Sequence, residues 1–442
     1  MAQVATIQPS RTKPTKRVDK DRVRRILNLR LLLASLAVAC VFCVLGYVWY
    51  GYRYRQVAVV IEQRAAKLEQ DGHWRDAAGY LKRYLQFNPD DLNARVRLVE
   101  AVEKSPRSLQ QQHYLLGLLY QTLGLQPERH DLRLKLANQL LESGDFAGAE
   151  SEAQKALRSQ KTLEQREARK VTALSLLARA RVDGIVSFDK AAAALSSSLA
   201  ENPSDVTLAS RTAALYREHP ESAGTNDASS KADQMMERLV QLEPDNPEAL
   251  IARYDYLRRY NPTKNAKQDL EKILAHDANN IEALLRLAGE DVQTGGDKNL
   301  LAAEETLKKV VKLKPADPRG QFGLAQLYIG KGDRQRALEV LQRGKPHLTA
   351  ASLEVDGLLA GILIESNRLD EAEKALNQFD DEFRQKLPEL TTVGRTRLEN
   401  FGRMLRARLN IARNELGQAS RELNAIIASV GDADIAAGAT ER

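Results

Sequence analysis

The chain has 442 residues, 43% of them hydrophobic and only 5% aromatic, and a formal net charge of +7. Residues 1–30 hold nine lysines or arginines against Asp19 and Asp21, which accounts for the whole excess, while the other 412 residues carry 57 basic and 57 acidic groups. A nucleic-acid binder would show its excess on the folded part, so no nucleic-acid partner is expected, and the wealth of alanine and leucine favours helix.

The basic arm, residues 1–30, reads as disordered. It leads into LLLASLAVACVFCVLGYVWYGY, residues 31–52, which has no charged side chain. Twenty-two residues at about 1.5 Å each cover a hydrocarbon core of roughly 30 Å, and Tyr47, Trp49, Tyr50, Tyr52 and Tyr54 crowd the C-terminal end as interfacial aromatics do. Ala37-Val38-Ala39 imitates a signal-peptidase site, and Leu36–Cys40 imitates a poor lipobox. Either cut would fall inside an apolar run too long for a signal peptide, so an uncleaved transmembrane helix is expected. The preceding basic excess puts the N-terminus in the cytoplasm and residues 53–442 outside it. This predicts a single-pass protein of a bacterial inner membrane. The only cysteines, Cys40 and Cys43, have the C-x-x-C spacing, but they sit in this apolar run with no histidine or acid to favour a thiolate. They read as small membrane-helix residues.

Beyond the span a frame recurs. Gly72, Ala77, Leu81, Tyr84 and Pro89 stand at offsets repeated by Gly144, Ala149, Ala153 and Ala156 and by Gly332, Ala337, Leu341 and Gly344. Ala77 to Pro89 is twelve residues, as are Ala191 to Pro203, Ala232 to Pro244 and Ala303 to Pro315. The equivalent positions run Ala77, Leu115, Ala149, Ala191, Ala232, Ala266, Ala303, Ala337, Ala372 and Ala419, with a base interval of 34 lengthened by insertions. Each unit predicts a first helix with a narrow apolar stripe, such as Leu136, Ala137 and Leu140 or Leu324, Ala325 and Tyr328. A glycine then turns the chain through a left-handed residue. A second helix crosses the first closely at its small residue, and proline closes the unit. The face left over by one hairpin needs the next hairpin to cover it.

This pattern resembles the tetratricopeptide repeat (TPR) family, through Leu324-Ala325, Tyr328, Gly332 and Ala337 and the four Ala-to-Pro spacings. The resemblance spans about residues 58–430 and ten units. It departs at Leu115, which takes a small residue's place, in the stretched fourth, fifth and last units, and in the usual loss of the first-helix tryptophan. Related helical-hairpin repeats remain the alternative. The resemblance implies an all-α fold, a right-handed superhelical α-solenoid, here preceded by the expected transmembrane helix. By composition, the polar stretch 220–231 reads as a surface loop and 431–442 as a disordered tail.

The stretch around His73 and Trp74 falls on the turn and second helix of the first repeat and reads as scaffold. The remaining histidines are scattered without i, i+4 pairs, so no metal site is expected. Motifs for phosphate loops, zinc proteases and nucleophile elbows are missing; the Gly295-Gly296 pair alone is weak evidence of phosphate binding, and the acids Asp380, Asp381 and Glu382 read as a solvated face. No cofactor, catalytic residue or small-molecule substrate is expected. What the family resemblance implies is a concave face, lined by first helices, that binds proteins or peptides. On it would lie Asn138, Asp255, Arg258, Arg319, Phe322 and Gln326. The leading expectation is a non-enzymatic membrane-anchored scaffold that helps assemble or escort envelope or secreted proteins. A polysaccharide-export or cell-surface assembly factor and a non-catalytic subunit of an enzyme complex are the alternatives.

Overall fold

The structure, a computed structural model, describes residues 29–440 apart from 106–108, 183, 388, 389 and 391. The basic arm therefore lies outside it except for its last two residues. Among the described residues there are twenty α-helices and no strand. They fall into two compact units, residues 1–101 and 102–442.

In the first unit α1 (Leu29–Gln70) turns back into α2 (Trp74–Phe87), and α3 (Leu92–Lys104) begins here. Ala58, Tyr84 and Ala94 make its core with Ile61, Leu85 and Phe87. Arg97 ties α3 to α1 through Glu62 at 3.1 Å and Glu69 at 2.9 Å. Trp74 is half-buried at the start of α2 and His73 is exposed just before it, so both belong to the turn.

In the second unit α4 (Leu109–Leu125) packs on α5 (His130–Ser143), which pairs with α6 (Phe146–Ala156). Antiparallel hairpins follow: α7 (Thr162–Val182) with α8 (Phe188–Glu201), α9 (Val206–Glu218) with α10 (Ala228–Leu242), and α11 (Pro247–Tyr260) with α12 (Lys267–His276). Then come α13 (Ile281–Thr294) with α14 (Asp297–Leu313), α15 (Pro318–Gly330) with α16 (Arg334–Gly344), α17 (Ser352–Glu365) with α18 (Leu369–Lys386), and α19 (Thr392–Ala412) with α20 (Leu416–Thr440). Each second helix also packs on the next first helix, so the apolar face of one hairpin is covered by its neighbour.

The local chemistry explains the hairpins. All ten frame residues from Ala77 to Ala419, Leu115 included, are buried, and Ala149, Ala303 and Ala337 are fully so. Gly144 and Gly332 sit at φ 88° and 77°, where an L side chain is strained. The amide one residue past each left-handed glycine donates back to the last turn: Asp145 to Leu140 O and Asp333 to Tyr328 O, both at 2.9 Å. This closes orphan carbonyls as a Schellman turn does. Two further turns have the same bond, Arg368 to Leu363 O at 2.9 Å and Glu415 to Asn410 O at 2.7 Å, with Asn367 and Asn414 at positive φ in the glycine's place. Asparagine is the side chain that tolerates this region best. Asp145, Asp205, Asn280, Asp317 and Asp333 cap helix N-termini by accepting from backbone amides, which satisfies donors the helix leaves unpaired.

Four expectations change. The separate transmembrane helix is not recovered: among the described residues no helix is long and apolar enough to cross a membrane. The backbone of 31–52 is instead part of α1, which runs unbroken to Gln70. The side chains described there include Leu33, Phe42 and Trp49, exposed by 55%, 70% and 64%; the remaining positions lie outside the described side chains. The tail is helical backbone to Thr440, because alanines continue α20. The loop at 220–231 is short: Pro220–Ala223 forms a 3-10 turn with Ala223 buried, α10 starts at Ala228, and His219 stacks on Phe188 with ring centroids 3.5 Å apart. Ala266 precedes α12 as its cap residue and does not lie inside the helix.

Candidate functional site

The polar groups of the second unit are organised by the repeat. One residue after the small residue of the second helix stands an acid: Ala149-Glu150, Ala232-Asp233, Ala303-Glu304 and Ala372-Glu373. Each reaches the following first helix. Glu150 pairs with Arg179 at 2.5 Å, Glu304 with Lys331 at 2.8 Å and Glu373 with Arg413 at 2.8 Å. Asp233 accepts from the Tyr256 hydroxyl at 2.7 Å and pairs with Arg217 at 2.5 Å. Glu304 also accepts from the Tyr328 hydroxyl at 2.8 Å. Its bond from Lys331, aided by Lys308 and Tyr328 against the cost of burial, holds its carboxyl down to about 2. Burial pushes Asp233 up, but Tyr256 and Arg217 outweigh it and leave the carboxyl below its usual value. Burial first, and then Asp233, push the Tyr256 hydroxyl upward. These groups are interlocked as charged and neutral donors around carboxylates, which ties these four hairpins to the ones that follow them.

A second set lies on the outward face of the first helices. Positions two, six and nine after the capping residue share that face. After Asn280 these are Glu282 and Arg286, after Asn246 Asp255, and after Asp317 Arg319 and Gln326. Arg286 pairs with Asp255 of the preceding first helix at 2.9 Å and with Glu282 of its own helix at 2.9 Å. Arg319 pairs with Glu282 at 2.6 Å and Asp317 at 2.8 Å. Arg258 pairs with Glu290 at 3.0 Å, and Tyr254 donates to the same carboxylate at 2.8 Å. The hydrogen bond from Arg319, then that from Arg286, holds the Glu282 carboxyl below its usual range against burial. Along α11, α13 and α15 the face is a ladder of ion pairs.

The structure thus places Asp255 and Arg258 on α11 and Arg319 and the exposed Gln326 on α15, with Asp255 linked to Arg319 through Arg286 and Glu282 of the intervening α13. Three of these four are engaged within the protein. Phe322 is half-buried against the core, so it is packing more than an exposed anchor. Asn138 lies on α5, away in sequence, 3.5 Å from Glu167 of α7.

Along α5, α7 and α9 the same face changes character. A cleft of about 350 Å³ is floored by Leu141 of α5 and by Leu174, Leu177, Ala178 and Val182 of α7. Arg181, Thr207 and Arg211 form its rim. Arg181 pairs with Glu218 at 2.6 Å, and Glu218 also takes Arg259 at 3.0 Å and the Tyr260 hydroxyl at 2.8 Å. Burial, then the bond to Glu218, pushes the Tyr260 hydroxyl up to about 12. Sequence reasoning missed this groove. Its signal was the spacing of Leu174, Ala178 and Val182, four residues apart on the face where later first helices carry charges.

A larger cleft of about 480 Å³ between α14, α15 and α16 is framed by Lys308, Tyr328 and Arg336, all committed to partners: Lys308 to Glu304, Tyr328 to Glu304, Arg336 to Asp333. Ser352, Glu382 and Lys386 also meet, with the Lys386 ammonium 2.6 Å from the Ser352 hydroxyl and 3.2 Å from Glu382. It donates as well to Thr349 O at 3.1 Å, so the ammonium staples the start of α17 to α18. Among the described residues no three histidines, cysteines or acids gather as metal ligands.

Residues 296–351, which contain α14, α15 and α16, match the family model for the tetratricopeptide repeat. No curated protein matches. Among solved structures, a tetratricopeptide repeat protein from Parabacteroides merdae is similar at 18% identity and TM-score 0.37, covering 62% of this chain and 98% of that one. Yeast Tom70 is similar at 14% identity and TM-score 0.32, covering 87% and 96%. The human IFIT1 dimer with m7Gppp-AAAA is similar at 15% identity and TM-score 0.38, covering 84% and 89%.

Proposed function

We propose that this tetratricopeptide-repeat protein is a membrane-anchored scaffold that binds other proteins through its first-helix face and does no chemistry on them. The observation that carries the reading is the role of its polar groups. The carboxylates that meet in the second unit are spent on arginine, lysine and tyrosine partners of neighbouring helices, as a rigid presenting surface requires. First helices pack side by side, α9 on α11 and α17 on α19. Such a face suits an extended protein partner.

The anchor is supported by the charge-free stretch 31–52 and by the exposed apolar side chains of α1. The basic arm before it supports an N-terminus in the cytoplasm of a bacterial cell and repeats on the exported side, where the protein helps assemble or escort envelope proteins. A photo-crosslinking side chain at Gln326, exposed on α15, tests the face against the same group at Gln342, exposed on α16. Protein adducts are expected from Gln326 and not from Gln342; equal adducts from both sink the first-helix reading. Protease added to spheroplasts of the same cells is expected to remove the repeats, and their full protection overturns the orientation.

A further inference from the structure

We propose that the groove between α5, α7 and α9 takes an extended acidic peptide, with one large apolar side chain on the leucine floor and a carboxylate beside it on Arg211. The inference rests on the protein-binding reading and names what that site selects.

Arg211 and Arg286 occupy the same position, six residues past the caps Asp205 and Asn280. Arg286 has a glutamate four residues before it on its own helix and an aspartate on the preceding first helix. Arg211 has Thr207 in place of that glutamate. The preceding helix offers it Leu174 and Ala178 where an acid would be needed. It is exposed and has no ion-pair partner among the described residues. Nearby, Arg181 and Arg259 share the single carboxylate of Glu218. Of the two arginines that line the groove, Arg181 is held by a carboxylate that Arg259 also takes, and Arg211 is left over, so its charge calls for a carboxylate from outside. An unpaired guanidinium beside apolar surface binds a carboxylate better than one in open water, because the pair is less screened.

The floor calls for apolar surface. Leu141 and Leu174 are half-buried, and Val182 is 69% exposed at the end of α7. A volume of about 350 Å³ stands at the lower end of ligand-sized cavities, about 300–1,000 Å³, so it holds one side chain with its flanking backbone. Apolar floor and cationic rim lie within one groove, so the peptide must carry its acid next to its anchor. On the ladder side of the face the arginines are already neutralised, and an acidic peptide gains nothing by docking there.

The test uses the full chain in detergent micelles and a fluorescein-labelled nonapeptide, Gly-Ser-Glu-Glu-Leu-Glu-Glu-Ser-Gly, read by anisotropy. The parent peptide should bind, with affinity falling as salt rises from about 50 to about 500 mM. Replacing its leucine by glycine, or its glutamates by glutamine, should each weaken binding by about tenfold or more. Arg211→Glu should do the same, whereas Lys190→Glu, an equal charge change at an exposed site of α8, should change it by less than about twofold. Both residues are exposed, so both variants should melt within about 3 °C of the parent protein. An Arg211→Glu protein that binds as tightly as its parent, or control peptides that bind like the parent peptide, overturns the assignment. So does a parent peptide that fails to bind below about 1 mM. An array of unrelated nonapeptides separates the two levels of inference. If the chain holds other peptides but not this one, the groove assignment falls and the scaffold reading stands; if it holds none, both fall.

Discussion

The first-helix face of α11, α13 and α15 and that of α5, α7 and α9 are both built from the first helices of successive hairpins, and they differ in what their side chains can offer a partner. In the former, Arg286 and Arg319 close onto Asp255, Glu282 and Asp317. In the latter, the arginine at the same register meets leucine and alanine. An arginine's role in a repeat protein is therefore set by its neighbours on the adjoining hairpin and not by its position in the motif. A self-neutralised stretch stiffens the stack, while a stretch with unspent charge beside apolar surface is left to bind.

The largest effect is expected beneath the ladder. Glu304→Ala leaves Lys331 and Tyr328 without their shared acceptor, and should cost about 1.5–3 kcal/mol by chemical denaturation. The carboxyl of Glu304 lies at about 2 in the fold against a usual 4.5, so its contribution is present above that usual value. It is lost as the pH falls through the range between the two. The gap in melting temperature between parent and Glu304→Ala should therefore close as the pH drops from about 5 toward 2. A gap independent of pH would show that packing, not charge, holds the site.

The next effect separates the two faces directly. Arg286→Gln loses two partly exposed ion pairs and should cost about 1 kcal/mol, less at high salt. Arg211→Gln should stay within about 0.5 kcal/mol of the parent. Equal costs would mean that the ladder contributes no more than an isolated arginine does.

The smallest effect sharpens the contrast by converting one face into the other. Thr207→Glu gives Arg211 the partner that Glu282 gives Arg286, four residues apart on one helix. A gain of about 0.2–1 kcal/mol is expected, falling away in salt. The same substitution should abolish acidic-peptide binding. A protein stabilised in this way that still binds the peptide would detach Arg211 from the groove's function.

Much of this was legible in the amino-acid order. The alanine frame marked every hairpin because a close helix crossing tolerates only a small residue, and all ten frame residues are buried. Two turns escaped because Asn367 and Asn414 stand five residues before Ala372 and Ala419 as the glycines do, and asparagine was not read as a left-handed residue. The acid after the alanine was visible as Ala-Glu or Ala-Asp in four units, but its partner stands far along the chain, 27 residues on for Lys331 and 40 for Arg413. Among the expected groove residues, Arg319, Phe322 and Gln326 share one face of a helix by their three- and four-residue spacing, whereas Asp255 and Arg258 belong to another helix. Spacing along one helix says nothing of Glu290, Arg286 and Glu282, which already hold Arg258, Asp255 and Arg319.

By itself, the sequence determined the class of structure. Helical periodicity, capping residues and turn chemistry act over a few neighbouring positions, and each unit carries them within its own length. Only the tertiary structure decided which charges remain available. Two first helices stand side by side after a full intervening helix, so the environment of Arg211 depends on Leu174 and that of Arg286 on Asp255, each more than thirty residues away. Pairing energies fall off over a few ångströms, so they depend on that packing and on no local pattern.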